Sequence, residues 1–325
     1  MKTIEVKNLK KFYQIYKKDA GFWGSVKSFA VRHYEEVKAV DGITFEIEEG
    51  ELVGFIGPNG AGKTTTLKCL SGLLYPTDGT VQVLGYAPYE RKTEFLKQIS
   101  LIMGQRNQLW WDLPPMETFI LNKEIYEVED KKFRETLDEL VELLDIKDIL
   151  KIPVKRLSLG QRMKCELISS LLHSPRVLFL DEPTLGLDVE MQKALREFIS
   201  EYNKRYHATI LLTSHYMRDV EALCERVIII NHGKILFDGK LNALVKKYAP
   251  HRIVRVVLGK RVDQKEIEKL GEIKTFSYPE VILTVPHKNI SQITANILKS
   301  LPVEDLTIEE PDIEDVIRII FQDAK

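Results

Sequence analysis

Between Gly57 and Thr65 the chain reads GPNGAGKTT, with glycines, a lysine and hydroxyls spaced as G-x-x-x-x-G-K-[ST]. Residues of these types at this spacing can cradle a polyphosphate. Gly57, Gly60 and Gly62 let the backbone turn tightly through Pro58, Asn59 and Ala61 and aim N–H groups at an anion, and the N-terminus of a following helix adds a favourable dipole. Lys63 would reach the β- and γ-phosphates of a nucleoside triphosphate, and Thr64 would hold Mg²⁺.

The motif needs a strand before it and a helix after it. Leu52-Val53-Gly54-Phe55-Ile56 is an apolar run that predicts a buried strand, and Thr65-Thr66-Leu67-Lys68-Cys69-Leu70 opens a helix. A second apolar run, Arg176 to Leu180, ends in Asp181 and Glu182, as expected of a buried parallel strand delivering carboxylates to its C-terminal edge. Asp181 would bind Mg²⁺ through water. Glu182 is placed to polarise an attacking water, because phosphoryl transfer depends on positioning and charge stabilisation. Two adjacent carboxylates closing an apolar strand are costly to bury without a cation.

Ahead of that strand lies LSLGQ, Leu157 to Gln161, followed by an amphipathic stretch through Cys165, Ile168 and Leu171. At these residues the chain resembles an ABC-type ATPase, whose LSGGQ signature it matches at Leu157, Ser158, Gly160 and Gln161 and departs from only at Leu159. The resemblance implies an α/β fold, a P-loop NTPase cassette with a RecA-like core plus a helical subdomain. It also implies that Ser158, Gly160 and Gln161 act in trans, on the γ-phosphate of ATP held by the opposite subunit of a dimer.

Carried over residue by residue, the resemblance assigns further roles. Gln105 matches the glutamine that touches Mg²⁺ and the attacking water, with Gln108 as a neighbouring rival. Asp188, in Leu185-Gly186-Leu187-Asp188, matches the acid that speaks across the dimer interface. His215 follows the short apolar run Leu211-Leu212-Thr213 and matches the histidine that contacts the γ-phosphate. Tyr13 matches the aromatic that stacks on adenine, with Phe12 and Tyr16 as rivals; such stacking is worth about 1–3 kcal/mol. By the same likeness the chain would energise a separate integral-membrane permease, working as a homodimer or paired cassette that sandwiches two ATP. A soluble ABC ATPase in a non-transport process is the alternative, though neither a second cassette nor a long coiled coil is present.

The 325 residues carry a formal net charge of −1, with 44% hydrophobic and 29% charged residues, which suits a globular protein of one large and one small domain. No Lys/Arg run is long enough for a nucleic-acid backbone, so no nucleic-acid partner is expected. The start, Met1 to Val6, alternates like a strand and lacks the apolar core of a secretory signal, and no stretch reaches the length of a membrane helix. The expected location is cytoplasmic, peripheral on the inner face of the cell membrane. Cys69, Cys165 and Cys224 have no metal-like spacing and are expected as buried free thiols in helices.

Two segments stand outside the minimal pattern of the family. In Tyr16 to Glu36, residues Phe22, Val26, Phe29, Ala30 and His33 fall on one helical face, which would cover the domain's own sheet or dock on a membrane partner. Trp110-Trp111 is equally readable as an interface anchor or as core. Residues 127–155 are helix-prone, with Leu137, Leu140, Val141 and Leu144 on one face. The nucleotide-binding domain is expected over 1–248, and a small α+β domain over 249–325. In the latter, strands at Ile253–Leu258, Val281–Val285 and Leu306–Ile308 and helices at Lys265–Leu270 and Ile290–Leu301 predict a βαββαβ, ferredoxin-like order. Exporter ATPases of the daunorubicin-resistance type carry a similar short tail.

Overall fold

A computed structural model describes residues 1–16, 34–104 and 108–323. The helix expected near 21–33 and the site residue Gln105 lie outside the described residues.

The parallel sheet grows from the apolar runs seen in the sequence. β3 (Leu52–Ile56), β5 (Ile99–Met103), β6 (Val177–Asp181), β7 (Thr209–Thr213), β8 (Arg226–Asn231) and β9 (Lys234–Lys240) lie in the order β5-β6-β7-β3-β8-β9. The joints from β5 to β8 are parallel, and every residue of β6 and β7 is buried. Strands covered on both faces can carry continuous Val, Ile, Leu and Phe, which is why Val177–Leu180 and Ile210–Leu212 show no alternation. β8 turns into β9 through His232 and Gly233, at φ +46° and +74°, the backbone of a two-residue hairpin.

A three-stranded antiparallel sheet is formed by β1 (Lys2–Tyr16), β2 (Tyr34–Glu48) and β4 (Asp78–Val83), with β1 in the middle. Here alternation is visible: Ile4 and Val6 are fully buried between polar neighbours and join Val40, Ile43, Phe45 and Ile47 in the main core. The helices are α1 (Lys63–Leu70), α2 (Thr93–Leu96), α3 (Pro115–Ile125), α4 (Asp130–Leu144), α5 (Leu159–Leu171), α6 (Val189–Tyr206) and α7 (Met217–Leu223). On α4 the buried face is Leu137, Leu140, Val141 and Leu144, the set read from sequence, extended one turn earlier by Phe133. All three cysteines are buried free thiols; Cys69 and Cys165 lie within helices, whereas Cys224 is the residue that ends α7. Burial pushes the Cys69 thiol up to about 11 and that of Cys165 to about 12.

Two compact units divide at Asp238/Gly239, earlier in the chain than the 248 expected from sequence. The reason is α8 (Leu241–Tyr248), which packs against α11 (Ile313–Asp323) near the far end of the chain. The second unit otherwise runs β10 (His251–Leu258), α9 (Gln264–Glu268), β11 (Glu272–Ser277), β12 (Glu280–Pro286), α10 (Ile290–Ser300) and β13 (Val303–Glu309). Its antiparallel sheet has the order β11-β12-β10-β13, the ferredoxin-like arrangement. The expected order required a strand at β11, yet no residues could be assigned to it: Glu-Ile-Lys-Thr-Phe-Ser is an edge strand with most positions exposed. No described helix is long and apolar enough to cross a membrane.

Candidate functional site

β3, β5, β6 and β7 all end on the same edge, and their C-terminal ends supply the groups of one cleft. This is where open α/β sheets place ligands. β3 leads into the loop Gly57–Gly62, whose shape leaves no room for side chains at two points. A Cβ on Gly57 would lie 2.2 Å from the Ile230 carbonyl oxygen, and one on Gly62, at φ +109°, would lie 2.3 Å from that of Ala39. α1 starts at Lys63 with no side-chain cap, so its first N–H groups face the cleft unpaired by any side chain.

Lys63 is 7% exposed; its Nζ donates to the Gly57 oxygen at 2.6 Å and the Pro58 oxygen at 3.2 Å and stands 4.0 Å from Glu182 Oε1. Burial lowers the Lys63 pKa, opposed by the charges of Glu182 and Asp181. Asp181 accepts a hydrogen bond on each oxygen, from Thr64 Oγ1 at 2.8 Å and from Thr213 Oγ1 at 2.7 Å. Thr213 Oγ1 in turn accepts from the Glu182 N–H at 3.1 Å, so one hydroxyl fixes both acids.

Glu182 is held less comfortably. Its φ is +56°, a left-handed conformation that costs a non-glycine residue on the order of 1–3 kcal/mol. Behind it Gly104 is indispensable: a Cβ there would come within 2.1 Å of the Glu182 carbonyl oxygen. Of its carboxylate, Oε2 accepts from the His215 N–H at 3.0 Å, while Oε1 is buried without an aligned donor, with His215 Nε2 3.2 Å away. Burial raises the Glu182 pKa, reinforced by Asp181 and Asp219 and opposed by Lys63 and the His215 N–H. Burial, then Lys63, lowers that of His215, which keeps the imidazole neutral near pH 7. A carboxylate with a raised pKa and a free buried oxygen is suited to taking a proton.

The cleft encloses about 640 Å³, within the usual range of ligand sites. Beside Pro58, Asn59, Gly60, Ala61, Gly62, Lys63, Thr64, Thr65, Asp181, Glu182 and His215, its walls include Val37, Lys38, Ala39 and His232, which sequence reasoning did not single out. Tyr13 and Phe12 do not line it; they pair across the sheet with Val37 and Lys38, which do. Gln108, the rival of Gln105, is turned away, its Nε2 donating to the Leu101 oxygen at 2.8 Å.

The signature residues lie outside this cleft. Ser158 caps α5 in a reciprocal box: Ser158 Oγ accepts from the Gln161 N–H at 3.2 Å and Gln161 Oε1 from the Ser158 N–H at 3.0 Å. Asp188 caps α6, accepting from the Met191 N–H at 2.8 Å. The two caps are neighbours, since a Cβ on Gly160 would stand 2.9 Å from Met191 Cε and one on Gly186 3.2 Å from Leu159 Cδ2. Trp110 and Trp111, which could have been core, are 56% and 48% exposed, and the Arg162 guanidinium lies 5.1 Å from the Trp111 ring centre.

One residue that holds the cleft together was missed. Asp219, 1% exposed, accepts from Thr184 Oγ1 at 2.6 Å, Ser214 Oγ at 2.8 Å and Arg196 Nη1 at 2.8 Å. It thereby ties the turn after Glu182 and the residue before His215 to α6. Its only trace in the sequence is an acid four residues past His215, in the first turn of α7.

Comparison with known proteins agrees with this geometry. The family described as ABC transporter matches residues 40–185, and the EvrA-like ABC transporter C-terminal domain matches 250–309. The chain is 32% identical over 226 residues to the ABC transporter ATP-binding protein NatA of Bacillus subtilis, covering 70% of this chain and 92% of that one. It is 34% identical to the bacitracin transport ATP-binding protein BcrA of Bacillus licheniformis, covering 66% and 69% of the two chains. Among solved structures, an ATP-binding subunit of an ABC transporter superposes with a TM-score of 0.63 at 26% identity, over 76% of this chain and 93% of the other. The fold is shared with MJ0796, a dimeric ATP-binding cassette in a post-hydrolysis state bound to ADP and Pi, at a TM-score of 0.61 and 21% identity, over 73% and 98% of the two chains. An identity of 32% sustained over 92% of NatA shows the family: the chain is an ATP-hydrolysing member of the ATP-binding subunits of ABC transporters.

Proposed function

We propose that this chain is the cytoplasmic engine of an exporter, closing on ATP as a two-fold dimer and driving a separate integral-membrane permease. The observation that carries the reading is the separation of two half-sites. Lys63, Thr64, Asp181, Glu182 and His215 meet in one cleft, whereas Ser158, Gly160 and Gln161 are a complete helix cap outside it. A second copy, turned about a two-fold axis, would bring Ser158 and the N-terminus of its α5 to the phosphates, with Asp188 beside it. Export rather than import rests on the likeness to exporter ATPases.

In the cleft, Lys63 and the N–H groups of Gly57 to Thr65 would bind the phosphates, and an adenine would sit on the β1–β2 side near Tyr13. The hydroxyl of Thr64 and the carboxylate of Asp181 are hard oxygen donors already in contact, the set that Mg²⁺ takes together with substrate phosphates, and Gln105 would join them. Bound there, the ion would neutralise charge developing on the phosphates. Glu182 would take the proton of the attacking water, and neutral His215 would orient it and the γ-phosphate. Hydrolysis then reopens the dimer.

The test is affinity purification of the tagged Glu182→Gln chain from detergent-solubilised native membranes with ATP, followed by mass spectrometry. A stoichiometric polytopic membrane protein is the expected companion. Recovery with ribosomes or DNA-associated proteins, or alone, would overturn the transport reading and leave the ATPase standing.

A further inference from the structure

At one end of the C-terminal sheet a cavity of about 580 Å³ opens between the last turns of α8, the start of β10 and the residues following β12 and β13. It lies within the second unit and shares no residue with the nucleotide cleft, so a ligand bound there is independent of the ATPase reading. That volume is in the range of small-ligand pockets, roughly 300–1,000 Å³.

The walls and the rim differ in chemistry. Val245, Pro250, Pro286 and Pro311 contribute apolar wall, and the three prolines bring no backbone N–H to it. The Pro250 carbonyl is already used, accepting from the His287 N–H at 3.0 Å. At the rim Arg252 is paired with Glu310, but the side chains of Lys246 and Lys288 have neither an ion pair nor a hydrogen bond among the described residues. Two cations whose side chains lack counter-charge at the mouth favour an anion there, and although Asn242, His251 and His287 also line the cavity, the valine and proline surface suits a hydrocarbon body behind it. An inorganic anion would leave the walls unused, and a neutral apolar molecule would leave the lysines unused.

We propose that this cavity binds a small amphiphilic anion, an apolar chain or ring carrying one carboxylate or phosphate group, whose head meets Lys246 and Lys288 and whose body lies on Val245 and the prolines. The ligand could be drawn from the membrane as an anionic lipid or from solution as a free acid; the recognition chemistry is the same.

Calorimetric titration of the full chain with decanoate, with acetate and with the neutral decyl glucoside tests it. The expected result is saturable binding of one decanoate per chain, with acetate and the glucoside weaker by at least about tenfold. The double variant Lys246→Glu/Lys288→Glu should weaken decanoate by about tenfold or more, as should the cavity-filling Val245→Trp, while Lys299→Glu on α10 should leave it unchanged. Thermal melts of each variant report folding. Decanoate binding that is absent, or that survives both the double reversal and Val245→Trp, overturns the proposal. Co-sedimentation with phosphatidylglycerol but not phosphatidylcholine vesicles, lost in the double variant, assigns the ligand to the membrane; decanoate binding without co-sedimentation assigns it to solution.

Discussion

The loop cleft and the cap of α5 use opposite strategies. In the cleft, polar groups are buried under strain: Glu182 is left-handed, its Oε1 has no aligned donor, and Lys63 is desolvated beside it. At the cap, Ser158 and Gln161 satisfy each other's backbone N–H at the surface, without strain. Groups that must act on a reacting phosphate are preorganised at a cost in stability, because reorganising them during the reaction would cost more. Groups that engage late can rest in a bonded state, and engaging means exchanging one partner for another.

The contrast can be broken first at Glu182. Glu182→Gln should retain ATP binding and lose about 10²- to 10⁴-fold in phosphate release, because an amide takes no proton from water. Near-normal turnover would remove Glu182 from the role of base. Next comes the support of the strained half: Asp219→Ala leaves Arg196, Ser214 and Thr184 without their acceptor and should cost about 3–5 kcal/mol in urea unfolding. A loss under ~1 kcal/mol would mean that the three donors find other partners readily.

The relaxed half can be probed from both ends of α5. Past its C-terminus, His173 is buried, hydrogen-bonded through Nε2 to the Ile99 oxygen at 3.0 Å and stacked 3.9 Å from Tyr126, and burial lowers its pKa from 6.5 to about 4. Above pH 6.5 both folded and unfolded chains carry it neutral; as pH falls, the unfolded chain takes up a proton that the folded one refuses until about pH 4. Stability should therefore drop by ~3 kcal/mol more between pH 7 and pH 4 in the wild type than in His173→Gln, read from melts across that window. At the other end, Ser158→Ala should cost only about 1 kcal/mol of stability, the usual worth of a cap. If hydrolysis nevertheless collapses while melting barely moves, Ser158 acts on the nucleotide of a second chain; if both change in proportion, the cap is structural.

What sequence revealed follows the same division. Gly57–Thr65 and Asp181-Glu182 were legible because they sit at the ends of β3 and β6, whose short apolar runs fit a buried strand far better than a helix or a surface loop. Ser158 was legible only as part of the LSLGQ signature, and its capping box, though it spans four consecutive residues, emerged from the structure. Thr213 and Asp219 were not, since a threonine ending a strand and an acid opening a helix are ordinary until the chain folds them onto Asp181 and Thr184. β11 went unassigned because an exposed edge strand has no apolar face to show. The division at Asp238/Gly239 was hidden for another reason: α8 belongs with α11, some seventy residues further along the chain, a pairing with no local signal.

Gly104 N–H is tied to the Asp181 carbonyl at 2.9 Å, and its α-carbon is pressed against the Glu182 carbonyl too closely for even a methyl group. Mechanically the contact has no slack. A tug on the segment beginning at residue 105 passes through a single peptide to the backbone of the two acids, with no side chain between to absorb it. Position 104 is therefore a rigid coupling, and Gly104→Ala would push directly on the backbone of Glu182, shifting the acid without changing any side chain that faces the cleft.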